Sequence, residues 1–281
     1  LVTALDAAGC IQRGSWGARL DGDRLFRTHF PDTLEGLYLA PVDRLSPAEK
    51  RLLQQAAVLG VSVSVNLLRE VSGLAEPAAS PLLDSLEKAR LLLPDTWGVR
   101  PYVRFADAML RDAVYAATPF EVKRDIHARM ARFLERDGAS VPKLWPALAH
   151  HFRAAGEDRP ARRYARLAGR DAYSRADQIT ALEHLERVCR PPTSDPEDVE
   201  DAFRLMDVYE SLGKWADAAP VLAELQRLEP ALTLPHRARL RNYLAIQTPG
   251  DAEALLLEGV RLAQECGEVL LEAKARLNLV G

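Results

Sequence analysis

From about Val141 to its end, the chain repeats its apolar residues at spacings of three and four, in stretches of roughly 12 to 17 residues joined by short turns. No alternating strand pattern interrupts them. A chain of this kind buries its apolar stripes by laying each helix on the next, so the second half is expected to form a helical solenoid and not a sheet-centred globule. Residues 199–232 carry the best-formed unit. Leu205 and Tyr209 lie on its first helix, Gly213 and Trp215 at the turn, Ala218, Leu222 and Leu225 on the second helix, and Pro230 closes it.

Those spacings resemble the tetratricopeptide consensus. A weaker copy of the same skeleton runs through Leu148, Phe152, Gly156 and Ala161 and continues in Ala181, Leu185 and Val188. A small residue near each crossing lets paired helices approach closely. Further helices are expected near residues 235–245, 251–266 and 268–279, and the run Pro191-Pro192-Thr193-Ser194-Asp195-Pro196 is the clearest interruption.

The first half reads differently. Gly14 and Gly17 flank Trp16 in a pattern that suggests a short hairpin. Asp32 followed by Glu35 resembles a capping box for a helix carrying Leu34, Leu37 and Tyr38, which Pro41 should kink or end. Ser46-Pro47-Ala48-Glu49 is the strongest local signal, an N-cap serine with proline at the first helical position and a glutamate placed to bond back. That helix shows Leu52, Leu53, Ala56 and Ala57 on one face, and Gly60 can stop it in a left-handed conformation. Short helices are expected at residues 65–72 and 82–90. The stretch RLLLPDTWGVRPYVRF then turns between Asp95 and Gly98 as a two-stranded wing. Helices at 107–116 and 120–136 follow, the latter with Val122, Ile126, Met130 and Phe133 in one stripe. Three helices and a wing give the winged-helix order. The expected fold is therefore mainly α, a winged-helix domain followed by a tetratricopeptide-like α-solenoid. Its expected parts are residues 1–45 (the end of an upstream helical region and a hairpin), 46–118 (winged helix), 119–140 (connecting helix) and 141–281 (repeats).

Composition sets limits without choosing a function. With 281 residues, 48% apolar and 27% charged, the chain has the make-up of an ordinary globular protein, and no apolar run approaches the roughly 18 to 20 residues of a membrane span. A cytoplasmic protein is expected. Cys10, Cys189 and Cys266 form no CxxC pair, which points to neither a disulfide framework nor a zinc site. A net charge of -3 argues against a surface built throughout for nucleic acid. The opening LVTALDAAG reads as the last turns of an apolar helix and the close falls near another, so the chain is expected to be a middle segment of a longer protein.

Three segments carry a family resemblance. Residues 31–60, PDTLEGLYLAPVDRLSPAEKRLLQQAAVLG, resemble the passage from ATPase core to winged helix in STAND-type signalling ATPases. That family includes adenylate or guanylate cyclases with an AAA-type module and large LuxR-type ATP-binding regulators. Residues 103–115, VRFADAMLRDAVY, resemble its FRHALLRDVAY segment, and LWPALAHHFRAAGEDRPARRYARLAGRDAY resembles the start of its repeat region. The resemblance implies an ATPase domain upstream in cis that binds ATP or ADP, and a nucleotide-sensing histidine whose position here is Asp107. An ionised aspartate donates no hydrogen bond to phosphate. Asp107 therefore either marks a copy released from the ADP-bound state or caps the helix beginning there. Pro41 is a second departure from the family pattern. No GxxxxGK[ST] loop occurs in the chain, so no cofactor is expected within this segment.

Other chemistry is sparse. His150 and His151 are adjacent on a helix, so their side chains leave it about 100° apart and no shared metal is expected. No serine sits in a GxSxG elbow. Glu197, Asp198, Glu200 and Asp201 open a helix, where acids favour the positive end of its dipole and a solvated start is expected. Arg159, Arg162, Arg163, Arg166 and Arg170 form a basic stripe opposite Ala161, Tyr164, Ala165, Ala168 and Ala172. That stripe either meets an acidic partner or a nucleic acid, or is the solvated back of a solenoid helix. Lys88 and Arg90 against Asp84 and Glu87 are too few cations for a phosphate-dominated interface. The leading expectation is a non-catalytic regulatory and protein-interaction segment whose repeats bind a partner or inducer, in a parent that makes cyclic nucleotides or controls transcription. A stand-alone DNA-binding regulator and an enzyme with a dispersed site are the competing classes.

Overall fold

Helix α2 (Pro47–Leu59) begins as its sequence dictates. The Ser46 hydroxyl accepts from the Glu49 amide at 3.3 Å, and the Ser46 amide donates to Glu49 Oε2 at 2.7 Å. Two orphan amides at the helix start are thus satisfied. The computed structural model describes residues 11–14, 17–20, 34–95, 101–189 and 192–280. The chain divides into two compact units, the first running to Asp137 and taking in Ala154–Gly156, the second holding Gly138–Arg153 and everything from Glu157 onward.

In the first unit, β1 (Ile11–Gly14) and β2 (Gly17–Leu20) form the expected antiparallel hairpin, with Ile11 opposite Leu20. Helix α1 (Leu34–Leu39) stops before Pro41, which leads into a 3-10 turn at Val42–Arg44. Asp32, the first half of the expected capping box, lies outside the described residues, as do Cys10, Trp16 and the turn at residues 96–100. After α2 come β3 (Ser62–Ser64), α3 (Val65–Ser72), α4 (Glu76–Lys88), β4 (Leu92–Asp95), β5 (Tyr102–Phe105), α5 (Ala108–Ala117) and α6 (Phe120–Gly138). The three strands lie in the order β3-β5-β4, all neighbours antiparallel, with Val63 and Pro94 flanking Val103.

One core serves helices and sheet together. Leu52, Leu53, Ala56 and Ala57 of α2 pack with Leu68, Leu86, Leu92, Val103, Phe105 and Leu110. The α6 stripe falls where its spacing predicts, Ile126 and Met130 packing with Val58 and Val71 while Val122 and Phe133 flank them.

Three local features depart from the sequence reading. Gly60 ends α2 at φ 146° and ψ -173°, an extended positive-φ conformation instead of a left-handed turn, and this sends the chain straight into β3. β3 itself is three residues long, too short to show a period, and exists because Val63 reaches the core beside Val103. Helix α4 begins at Glu76, ahead of the expected residue 82, and runs through Pro81. Pro81 forfeits only the bond to the carbonyl of Pro77, near the helix start, where the cost is smallest.

In the second unit, α7 (Trp145–Ala154), α8 (Asp158–Ser174), α9 (Gln178–Cys189), α10 (Pro196–Leu212), α11 (Trp215–Arg227), α12 (Leu234–Gln247), α13 (Ala252–Cys266) and α14 (Val269–Val280) follow in turn. From α8 onward each packs on the next, and α8 also meets α10 as α12 meets α14. This is the mainly helical, solenoid-like fold that the periodicity predicts. The 199–232 unit matches in detail. Leu205, Tyr209, Ala218, Leu222 and Leu225 are buried, and Gly213 ends α10 in the left-handed conformation at φ 66°. Phe152 stacks on Tyr164 with ring centroids 5.7 Å apart. Among the described residues no helix is long and apolar enough to cross a membrane.

Candidate functional site

Asp107 is the N-cap of α5. Its Oδ1 accepts from the Met109 amide at 2.8 Å, and its Oδ2 accepts from the Tyr38 hydroxyl at 2.9 Å. The phenol on α1 is consequently harder to ionise, chiefly through that hydrogen bond to the carboxylate. Both oxygens of the Asp107 side chain are occupied inside the first unit.

The arginines of α8 face an acidic neighbour within the molecule. Arg162 pairs with Asp198 at 3.0 Å, and Arg166 reaches Glu197 at 3.0 Å and also bonds to Asp198. Arg170 grips Asp201 with two arms, Nε to Oδ1 at 2.6 Å and Nη2 to Oδ2 at 3.0 Å. Of the acids that open α10, Glu197 is exposed as a solvated helix start would have it, but Asp198 and Asp201 are not. Asp198 is 4% exposed and Asp201 0%, because the α8 guanidiniums replace water as their partners. Thr193 adds a 2.6 Å hydrogen bond to Asp198, and Arg204 pairs with Asp201 from within α10 at 2.8 Å. Arg159 and Arg163 are exposed, Arg163 lying over the Tyr164 ring. Beneath the arginines, burial and the nearby Asp201 push the Cys189 thiol up to about 12, which leaves it an inert core residue.

Further along, the polar layer continues from α10 to α12 and α14. Asp207 accepts from Tyr173 at 2.8 Å, from Arg239 at 3.0 Å and from Tyr243. Burial with the adjacent carboxylate pushes the Tyr173 phenol up to about 12 and raises that of Tyr243 as well. Glu200 meets His236 at 3.0 Å and Arg239 at 3.3 Å, contacts that hold its carboxyl down to about 2. Arg239 lies 4.6 Å from the Phe203 ring centroid, and Lys274 pairs with Glu210 at 2.6 Å. Between these helices opens a cavity of about 410 Å³ whose lining includes Glu200, Asp207, His236, Arg239, Tyr243 and Lys274.

Of these cavity residues only Glu200 stands out in the sequence, as one of the acids that open a helix. Glu200, Asp207, Arg239 and Lys274 are spread over three helices, and only the stacking of next-but-one helices brings them together. A charge at the same helical phase on α10 and α12 is the one signal that could have found them.

Two neighbouring histidines of α7 come close together. The imidazoles of His150 and His151 lie closer than their divergent positions suggest, with ring centroids 5.2 Å apart in an edge-to-face contact. His184 is buried, its Nδ1 has no partner among the described residues, and burial lowers its pKa. No known protein-family model matches the chain, and no curated protein matches it.

Proposed function

We propose that the chain is the regulatory and protein-interaction segment of a STAND-type signal-transducing ATPase, with no catalytic centre of its own. The first unit acts as a winged-helix arm responsive to nucleotide held by an ATPase domain upstream in cis, and the second as a repeat scaffold for a protein partner or inducer. The observation that carries this reading is the order of the first unit. Helix, strand, two helices and a hairpin close into a β3-β5-β4 sheet, and a stacked helical array follows. That succession is what the three resembling segments imply, in the same order along the chain.

Asp107 refines the reading. A carboxylate held by Met109 and Tyr38 is positioned to fix α5 against α1, so any nucleotide response passes through movement of that joint and not through direct contact with phosphate. The output of the parent would be cyclic-nucleotide synthesis or transcription. Hydrogen exchange on the full-length protein, with ADP and with a non-hydrolysable ATP analogue, tests the proposal. Leu34–Leu39 and Ala108–Ala117 should exchange differently in the two states, and this chain alone should give no binding heat with either nucleotide. Tight stoichiometric nucleotide binding by the chain alone, or identical exchange in both states, would sink it.

A further inference from the structure

Arg166 and Arg170 turn inward to the α10 acids, and other cations of the second unit gather around a different space. A cavity of about 250 Å³ opens among α7, α8 and α9, and its lining includes Arg153, Arg162 and Arg187, one from each helix. Ala149, Ala161 and Ala165 line it too, and side chains this short leave the guanidiniums room to converge. Among the described lining residues Asp158 is the only acid, so the wall carries an excess of positive charge.

These cations are open to a ligand. Arg153 is exposed and makes no ion pair among the described residues. Arg187 pairs with Glu183 at 2.8 Å across one helical turn, and exposed pairs of that kind hold weakly. Arg162 shares Asp198 with Arg166 and Thr193, so it can turn to a ligand without stranding that buried carboxylate. Arg153 and Arg187 also act on the same two imidazoles. Burial is the main cause of the lowered pKa of His150 and of His184, and both cations lower each further against the opposing Glu183.

Size and charge select the ligand. The space is smaller than the roughly 300 Å³ at which sites for drug-sized molecules begin, so it suits one compact group. Guanidiniums from three helices offer more donors than the two oxygens of a carboxylate accommodate. The three terminal oxygens and near-double charge of a phosphate monoester match them better. Duplex nucleic acid calls for cations spread along a surface, not for a small enclosed set.

We propose that the cavity among α7, α8 and α9 binds a phosphate monoester, with Arg153, Arg162 and Arg187 donating to its terminal oxygens. The inference rests on the reading of the second unit as a binding scaffold and names the group its partner or inducer would present. A free phosphorylated metabolite and a phosphorylated serine of a protein share that chemistry.

Calorimetry on the whole chain at pH 7 and low salt tests it. The probes are glycerol 3-phosphate, a blocked peptide carrying phosphoserine, its serine and aspartate counterparts, and a short DNA duplex. A phosphate monoester should bind saturably and at least about tenfold more tightly than the serine and aspartate peptides. Arg153→Gln and Arg187→Gln, both exposed changes, should each weaken it by about fivefold or more. Asp158→Asn should tighten it by about threefold, a gain that damage to the fold would not produce. Arg261→Gln, an exposed change on α13, should leave it unchanged. Tighter binding of the phosphopeptide than of glycerol 3-phosphate assigns a phosphorylated protein, and the reverse a free metabolite. Duplex bound more tightly than both phosphate probes, aspartate peptide bound as well as phosphoserine peptide, or affinity indifferent to all three cavity substitutions would overturn the proposal. Absence of saturable binding by either phosphate probe would do so too, while the exchange response to nucleotide judges the scaffold-and-arm reading separately.

Discussion

Arg170 and Asp201 are joined by two nearly parallel bonds of 2.6 and 3.0 Å, from one helix to the next but one, with the carboxylate wholly shielded from water. Such a two-armed pair fixes the relative rotation of α8 and α10 as well as their separation. Arg166 approaches the same carboxylate at 2.9 Å and Arg204 at 2.8 Å, so three guanidiniums gather around a single aspartate.

Removing that aspartate should be severe. Asp201→Ala is expected to lower unfolding stability by about 3 kcal/mol, since it leaves cations without their buried partner. Urea denaturation monitored by circular dichroism measures this, and a change below about 1 kcal/mol would show that the pairs contribute orientation only.

The helix cap at Asp107 should behave as a local feature. Asp107→Ala is expected to cost about 1 kcal/mol, and Asp107→Asn much less, because asparagine caps nearly as well. Hydrogen exchange should localise the loss to the first turn of α5. Tyr38→Phe separates the two contacts, since it removes the bond to α1 and keeps the cap.

Acid should destabilise the protein in two stages. His184 has a lowered pKa from burial, so stability is full above its ordinary 6.5 and declines as pH falls below it, where the unfolded chain takes up the proton first. Glu200, held down to about 2 from 4.5, adds a second loss as pH falls from about 4.5 towards 2. His184→Leu should flatten the first stage and Glu200→Gln the second. Unfolding free energy measured from pH 7 to pH 3 checks both, and an unchanged profile in either variant contradicts its assignment.

Two helical glycines should respond in opposite ways to alanine. A Cβ at Gly169 would lie 2.9 Å from Leu185 Cδ2 and 3.3 Å from the Leu185 backbone nitrogen, so Gly169→Ala should force α8 and α9 apart and cost about 1–3 kcal/mol. At Gly259 the nearest atoms lie at 3.4 Å and beyond, and Gly259→Ala should be neutral or stabilise by up to about 1 kcal/mol through helix propensity. Thermal or urea denaturation of the pair decides it.

Much of the fold could be read before any coordinates. The Ser46 box, the buried faces of α2 and α6 and the 199–232 unit follow from short-range rules of capping and spacing, and those rules act within one helix at a time. The departures share another origin. Pro81 occupies the sixth position of α4, a helix whose expected start lay beyond it, and burial of Ala79 and Leu83 on either side favours running the helix through the proline. β3 likewise depends on a partner strand some forty residues away, as its pairing of Val63 with Val103 shows.

The candidate site was the least legible part. Residue types and helical phase by themselves determined that α8 carries a basic face and that α10 opens with acids, but not that the two faces meet. Periodicity reports which residues share a side of one helix, whereas burial of Asp198 and Asp201 depends on which helices become next-but-one neighbours. Only stacking turned two exposed-looking charge runs into an internal ion-pair layer, and left Asn242 with an oxygen that nothing among the described residues satisfies. Charge pairing in a low-dielectric interior is a property of distance in space, and the sequence encodes that distance only through the packing of every helix between.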